Sequence, residues 1–260
     1  MPPTLLLIRH AQALHNVASD WSHDDPPLTE FGHQQCKELE ESLKNSEIGN
    51  KVELIVVSAM RRTLQTASEG LEWVIKEKGI EVLPDAGWQE NSDKPCDTGS
   101  PIPIISSEFP AFDFSTVDPL YPDKTTNPAT NPYAFTRKAL LARGQTCLRN
   151  LYHRPEKVIA VVSHSGFLRV GVCNRQFFNA DWRVFEFDED EMGEAKAKGE
   201  ERYVLKEWKE TEEKGGGMGR SEKGVFLPKR EDFPPEVVQV DGEFAPPVGD
   251  EGTAERPPGL

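Results

Sequence analysis

A chain of 260 residues with a net charge of −14, 37% hydrophobic and 28% charged, has the makeup of a globular protein with room for one large α/β core, or a core plus an appendage. The acidic balance argues against nucleic acid or an anionic membrane surface as partner, and no stretch nears the roughly 18–20 apolar residues of a membrane helix. Cys36, Cys96, Cys147 and Cys173 are widely spaced with no CxxC pair, and the six histidines form no HExxH, so we expect reduced structural thiols, no metal or other cofactor, and a cytoplasmic protein.

The opening MPPTLLLIRH lacks the basic lead and apolar length of a signal peptide, so its run Leu5-Leu6-Leu7-Ile8 is assigned to a buried first strand. That strand stops on Arg9-His10. A polar loop over 11–27 follows, with His15, Trp21 and His23, and then a helix opening at Leu28-Thr29-Glu30, capped by Thr29 and given a core stripe by Leu39 and Leu43. A second strand over 52–57 ends in Ser58 and feeds a long helix from Met60 to Lys78, stopped by Gly79. Glu81-Val82-Leu83 reads as a short strand.

Residues 84–131 carry Pro84, Pro95, Pro101, Pro103, Pro110, Pro119, Pro122 and Pro128, too many for a regular helix. The aromatics Trp88, Phe109, Phe112, Phe114 and Tyr121 favour an ordered lid packed over a site. A helix is expected from Pro132 to His153, then a third strand, Val158 to Val162, ending in Ser163-His164-Ser165-Gly166, and a short helix from Phe167. Trp182–Phe187 alternates as a strand that Arg202–Trp208 can pair with antiparallel, leaving 188–201 as an exposed hairpin extension. Residues 188–260 hold 20 acidic against 11 basic side chains, and so −9 of the −14. From 209 the text turns Glu/Lys/Gly-rich and then Pro-rich, which predicts a domain over 1–208 and a partly disordered acidic tail over 209–260.

Three apolar strands thus each deliver Arg or His to what becomes one sheet edge if they run parallel, and ligands bind at such edges. Arginine forks suit phosphate oxygens, and an imidazole can attack phosphorus. The pair Arg61-Arg62 lies on a helix where neighbours point about 100° apart, so one of the two can face the site.

RHAQALHN, LTEFGHQQ, SAMRRTLQTA and VVSHSGFLR, in that order over residues 4 to 187, resemble the histidine phosphatase superfamily, its phosphoglycerate-mutase-like branch. The resemblance implies a three-layer αβα sandwich with a mostly parallel central sheet, here with the Pro-rich lid insert 84–131 and the irregular acidic C-terminal tail. It implies His10 as nucleophile, with Arg9, Asn16, Arg62 and His164 binding phosphate. It selects Arg62 over Arg61, through the spacing Ser58, Arg62, Thr63, Thr66, and puts an acid at Glu90, with Asp97 the alternative. His164 is expected to donate as an imidazolium, near a helix start that offers amides to an anion. Ala11 stands where the family usually has glycine. The implied activity is metal-free hydrolysis of a small-molecule phosphomonoester through a phosphohistidine. A mutase, which handles a bisphosphorylated intermediate, fits less well, because Lys94 and Lys124 in the insert are outnumbered by carboxylates including Glu90, Asp93, Asp97, Glu108, Asp113, Asp118 and Asp123. A phospho-ligand binder without catalysis is disfavoured by the intact His10.

Overall fold

Leu5-Leu6-Leu7-Ile8 lies in β1 (Thr4–Arg9), and its side chains are divided between two cores. Leu6 and Ile8 join Leu39, Leu43, Leu64 and Leu71 on one face, while Leu5 and Leu7 join Leu140, Leu148, Leu151 and Phe167 on the other. Side chains alternate along a strand, so a continuous apolar run marks a strand covered on both sides. The computed structural model describes residues 1–235 and a two-stranded ribbon, Gln239–Val240 with Glu243–Phe244. Among the described residues no helix is long and apolar enough to cross a membrane.

In chain order β1 is followed by α1 (Leu14–Ala18), α2 (Glu30–Lys44), α3 (Glu47–Asn50), β2 (Leu54–Ser58), α4 (Arg61–Gly70), α5 (Glu72–Lys78) and β3 (Val82–Asp85). The insert contributes α6 (Ile102–Glu108). Then come α7 (Arg137–Tyr152), β4 (Val158–Ser163), α8 (Ser165–Phe167), which continues as a π-helical stretch over Leu168–Cys173, and β5 (Trp182–Phe187). The last elements joined to this body are α9 (Glu189–Ala197), β6 (Leu205–Glu207) and α10 (Lys209–Lys214).

The sheet order is β3-β2-β4-β1-β5-β6. The first four of these strands run parallel, and β5 pairs antiparallel with both β1 and β6. This is the αβα sandwich with a mostly parallel sheet that the sequence predicts. Its register matters for the site: Arg9 pairs with Ser163, and Val57 with Val162, so His10, His164 and Ser58 leave neighbouring strands at the same edge.

Several boundaries differ from expectation for local reasons. The long helix breaks at Leu71 into α4 and α5. The helix expected from Pro132 starts at Arg137, where the Thr136 hydroxyl accepts from the Ala139 amide. The segment 188–201 is no hairpin: Asp188 caps α9, and Glu189, Asp190 and Glu191 sit in its first turn, where the helix dipole favours carboxylates.

The larger difference lies beyond residue 208. The chain up to 235 lies against the sheet edge and the turn before β5, where an irregular tail was expected. Buried Asp181 accepts from the amides of Trp182 (2.8 Å), Met218 (2.9 Å) and Arg220 (3.2 Å) and from the Ser221 hydroxyl (2.7 Å). Gly217 passes so close to Trp182 that a Cβ there would lie 2.0 Å from the indole, so its lack of a side chain is what admits the packing. Arg183 and Arg175 share Glu207, each at 2.7 Å, Arg175 also reaches Glu212 on α10, and Arg169 pairs with Asp232. The expected disorder of the remaining tail falls on positions outside the described residues, apart from the ribbon.

Replacing Asp181 by alanine should leave four donors, two of them buried, without their acceptor and destabilise the fold by about 2–4 kcal/mol in urea denaturation. A loss under about 0.5 kcal/mol would show that residues 216–221 contribute nothing to stability.

Candidate active site

His10 is buried just past the end of β1, with its own amide donating to the Ser163 carbonyl (3.0 Å). Its Nδ1 lies 2.7 Å from the Ala11 carbonyl, which can only accept, so Nδ1 carries the proton and Nε2 keeps its lone pair. Burial first, then Arg62 and Arg9, hold the imidazole well below its ordinary 6.5. Ala11 needs no positive φ; its amide donates to Thr66 Oγ1 (3.0 Å), so alanine fits without strain where the family usually has glycine.

Arg62 and Arg61 diverge. Arg62 is fully buried: its Nε donates to His10 Nε2 (3.2 Å), Nη1 to the Cys96 carbonyl (2.6 Å) and Nη2 to Asp97 Oδ1 (3.3 Å). Arg61 turns outward to Glu108, at 2.7 and 2.8 Å. Asp25 fixes this register. Met60, ahead of α4, has no side chain to cap it, and Asp25 Oδ1 accepts the Arg61 amide instead (3.1 Å), while its other oxygen accepts from Ser100 of the insert (2.9 Å).

Arg9 donates through Nη1 to the Phe177 carbonyl (2.8 Å); burial pushes it down to about 10, and its buried Nε has no partner among the described residues. The His164 ring centre is 5.2 Å from that of His10, and its Nε2 is 2.9 Å from Ser58 Oγ. Burial, then Arg62 and His10, push His164 well below 6.5, so the imidazolium expected from the sequence is disfavoured first by desolvation and then by the neighbouring arginine.

The two candidate acids have different partners. Glu90 receives the Phe167 amide (2.8 Å) and the Asn91 amide (2.9 Å) on Oε1 and the Gly166 amide (3.1 Å) on Oε2. The helix start expected to offer amides to a ligand therefore already holds a carboxylate. A Cβ on Gly166 would come within 2.5 Å of Glu90 Oε1, so the approach needs glycine. Burial and then Asp97 raise the Glu90 carboxyl, against Arg62 and the amides. Asp97 instead pairs with Arg62 and accepts from the Ser92 hydroxyl (2.6 Å).

Asn16 lies beside this group, but its amide nitrogen is taken up by His15 Nε2 (3.0 Å), and its oxygen accepts the Ala13 amide (3.0 Å). Buried His15, driven down to about 4 mainly by desolvation and Arg62, has its ring 5.9 Å from His10 and 6.1 Å from Trp21. His10, Arg62 and His164 are thus brought together at the sheet edge, with Arg9 and Glu90 near enough for charge to act between them and this group. Asp97 borders it on the arginine, and Asn16 stands one side chain away. Sequence reasoning missed the carbonyls of Phe177 and Cys96, which orient the arginines, because a backbone acceptor has no residue-type signature. Among the described residues no group of three or more His, Cys, Asp or Glu could hold a metal ion.

Comparison with known proteins identifies the family and the fold. The family model for the histidine phosphatase superfamily (branch 1) matches residues 5–210. A phosphoglycerate mutase-like protein of Arabidopsis thaliana is 31% identical over 198 residues, covering 64% of this chain and 72% of its own. A Schizosaccharomyces pombe protein named as a phosphatase is 31% identical over 171 residues, covering 64% of this chain and 76% of its own. In fold, the chain is similar to the ecdysone phosphate phosphatase of Bombyx mori, solved with tungstate, at a TM-score of 0.50 and 14% identity over 71% of this chain and 89% of that one.

His10, His15 and His164 all sit below the 6.5 of a free imidazole. The unfolded chain therefore takes up protons first as pH falls, so stability is intact above about 6.5 and is lost progressively below it. Urea midpoints followed from pH 8 to 4.5 should drop, and drop less in His15→Gln. Identical pH slopes for the two proteins would contradict a neutral His15.

Proposed function

We propose that this chain, which belongs to the histidine phosphatase superfamily (branch 1), is a metal-independent phosphatase acting on a small-molecule phosphomonoester through a phosphohistidine on His10. The observation that carries this reading is the tether of Nδ1 to the Ala11 carbonyl. It leaves the Nε2 lone pair as the one nucleophilic nitrogen of the ring, facing the Arg62 guanidinium.

In the first step His10 Nε2 attacks phosphorus, the ester P–O bond breaks, and the leaving oxygen takes its proton from Glu90. Arg62 passes from Nε2 to a phosphate oxygen, and Arg9 shares the charge. A bound dianion offsets the field that holds His164 neutral, so His164 can then take up a proton and donate to phosphate. In the second step a water molecule loses a proton to Glu90 and attacks phosphorus, and the N–P electron pair returns to His10 Nε2. Glu90 suits the acid's part because its carboxyl is raised and its oxygens rest on neutral amides, whereas Asp97 is paired with Arg62. For Asn16 to reach phosphate, its amide nitrogen must first leave His15.

The four cysteines are buried free thiols, in keeping with a reducing cytoplasm. Carboxylates around the insert favour release of phosphate over retention of a bisphosphorylated intermediate, which separates this reading from a mutase.

With a panel of phosphomonoesters and no added metal, we expect stoichiometric release of inorganic phosphate and no phosphoryl transfer to 3-phosphoglycerate; transfer without release would make the protein a mutase. Glu90→Gln should slow alkyl esters by about 10²–10⁴-fold while affecting an aryl phosphate far less, since a phenolate leaves without protonation. If Asp97→Asn shows that selectivity and Glu90→Gln does not, the acid is Asp97.

A further inference from the structure

Lys124 is 3% exposed and has no carboxylate partner among the described residues. Its Nζ donates instead to three backbone carbonyls, those of Glu90 (2.7 Å), Ser92 (2.8 Å) and Asp97. Three acceptors around one nitrogen use every proton of an ammonium; a neutral amine offers two and leaves one buried carbonyl unserved. All three carbonyls belong to residues 90–97, the segment that bears both candidate acids and presents the Cys96 carbonyl and the Asp97 carboxylate to Arg62.

The ammonium is firmly mounted. Asp123 Oδ1 accepts from the amides of Thr125 (2.8 Å) and Thr126 (3.0 Å), Asn131 Nδ2 donates to the Asp123 carbonyl (3.0 Å), and the Tyr121 hydroxyl reaches the Ala59 carbonyl (2.9 Å) just past β2. A second cation assists from α7. Arg143 Nη2 lies 3.4 Å from the Glu90 carbonyl and from Asn91 Oδ1, with its guanidinium 4.2 Å over the ring of Phe167. Glu90 is therefore held at both ends, its carbonyl by two buried cations and its carboxyl by the amides of α8.

Such an arrangement is costly. Desolvation, then Arg143, push Lys124 down to about 7, with Asp97 and Glu90 opposing. A methionine would fill the same space without a buried charge. The fold bears that cost at the segment that carries both candidate acids.

We propose that Lys124 is a positioning residue that sets the backbone of residues 90–97, and through it the Glu90 carboxyl, for proton donation to the leaving group. The proposal rests on the reading of Glu90 as the acid, and its test keeps the two apart. Lys124→Met, Glu90→Gln and wild type are compared in kcat and KM on an alkyl phosphate, β-glycerophosphate, and on p-nitrophenyl phosphate, with thermal melts on each protein. Lys124→Met should lose at least about tenfold more kcat on the alkyl ester than on the aryl ester, with KM for the aryl ester little changed, which is the pattern of a misplaced acid. Equal losses on both esters, or no loss, while Glu90→Gln discriminates, would overturn the proposal and leave the lysine a purely structural residue. A Glu90→Gln that fails to discriminate would overturn the acid assignment itself, and the proposal with it. Should Lys124→Met not melt cooperatively, Lys124→Gln, which keeps two donors, is judged by the same ratio.

Discussion

The Ala11 carbonyl accepts from Nδ1 of His10, and the chemistry proposed for the site depends on that hydrogen bond. An imidazole with both nitrogens free interconverts between tautomers and can present the wrong nitrogen to phosphorus. Here the neighbouring residue's backbone chooses the tautomer, and Thr66 holds Ala11 in turn by accepting its amide while donating to the Arg62 carbonyl. The proposed nucleophile, its tether and the arginine beside it are thus linked by groups just past β1 and on α4. The parallel register of β1, β4 and β2 then sets His164 beside His10 and Ser58 at the same sheet edge.

Electrostatics reinforces this arrangement. In a chain of net charge −14, burial lowers both His10 and His164, with Arg62 adding to it at both rings and Arg9 at His10, so the neutral imidazoles are favoured. Neutrality is what a nucleophile needs, and the same cations are what a phosphate dianion seeks. The arginines are aimed largely by backbone carbonyls, of Phe177 and Cys96, and a carbonyl orients a guanidinium without cancelling its charge. Asp97 is the exception, and in the proposed reaction its place on Arg62 makes it the group a phosphate would displace.

Much of the fold was legible in the sequence because its signals are local. Leu5–Ile8, Leu54–Val57 and Val158–Val162 are continuous apolar runs that end abruptly on polar residues, so each reads as a strand and as a delivery point, the first for Arg9 and His10, the second for Arg62, the third for His164. Glu90 could be named only through the family resemblance, since nothing in WQENS marks its carboxylate as bound for the amides of α8. The residues that orient the site left no trace. Asp25 replaces a missing helix cap from 36 positions away, and Lys124 acts on carbonyls. The stretch after 208 misled for a related reason. Gly215-Gly216-Gly217 reads as disorder by composition, yet the absence of a side chain at 217 is what allows the chain to lie under Trp182.

Phosphorus NMR on enzyme labelled with ¹⁵N in histidine, quenched during turnover, measures the central claim directly by identifying the nitrogen bonded to phosphorus. The tether at Nδ1 requires a phosphoenzyme with phosphorus on Nε2 of His10, absent from His10→Ala. Phosphorus on Nδ1, on His164, or on no histidine at all during steady hydrolysis would contradict it.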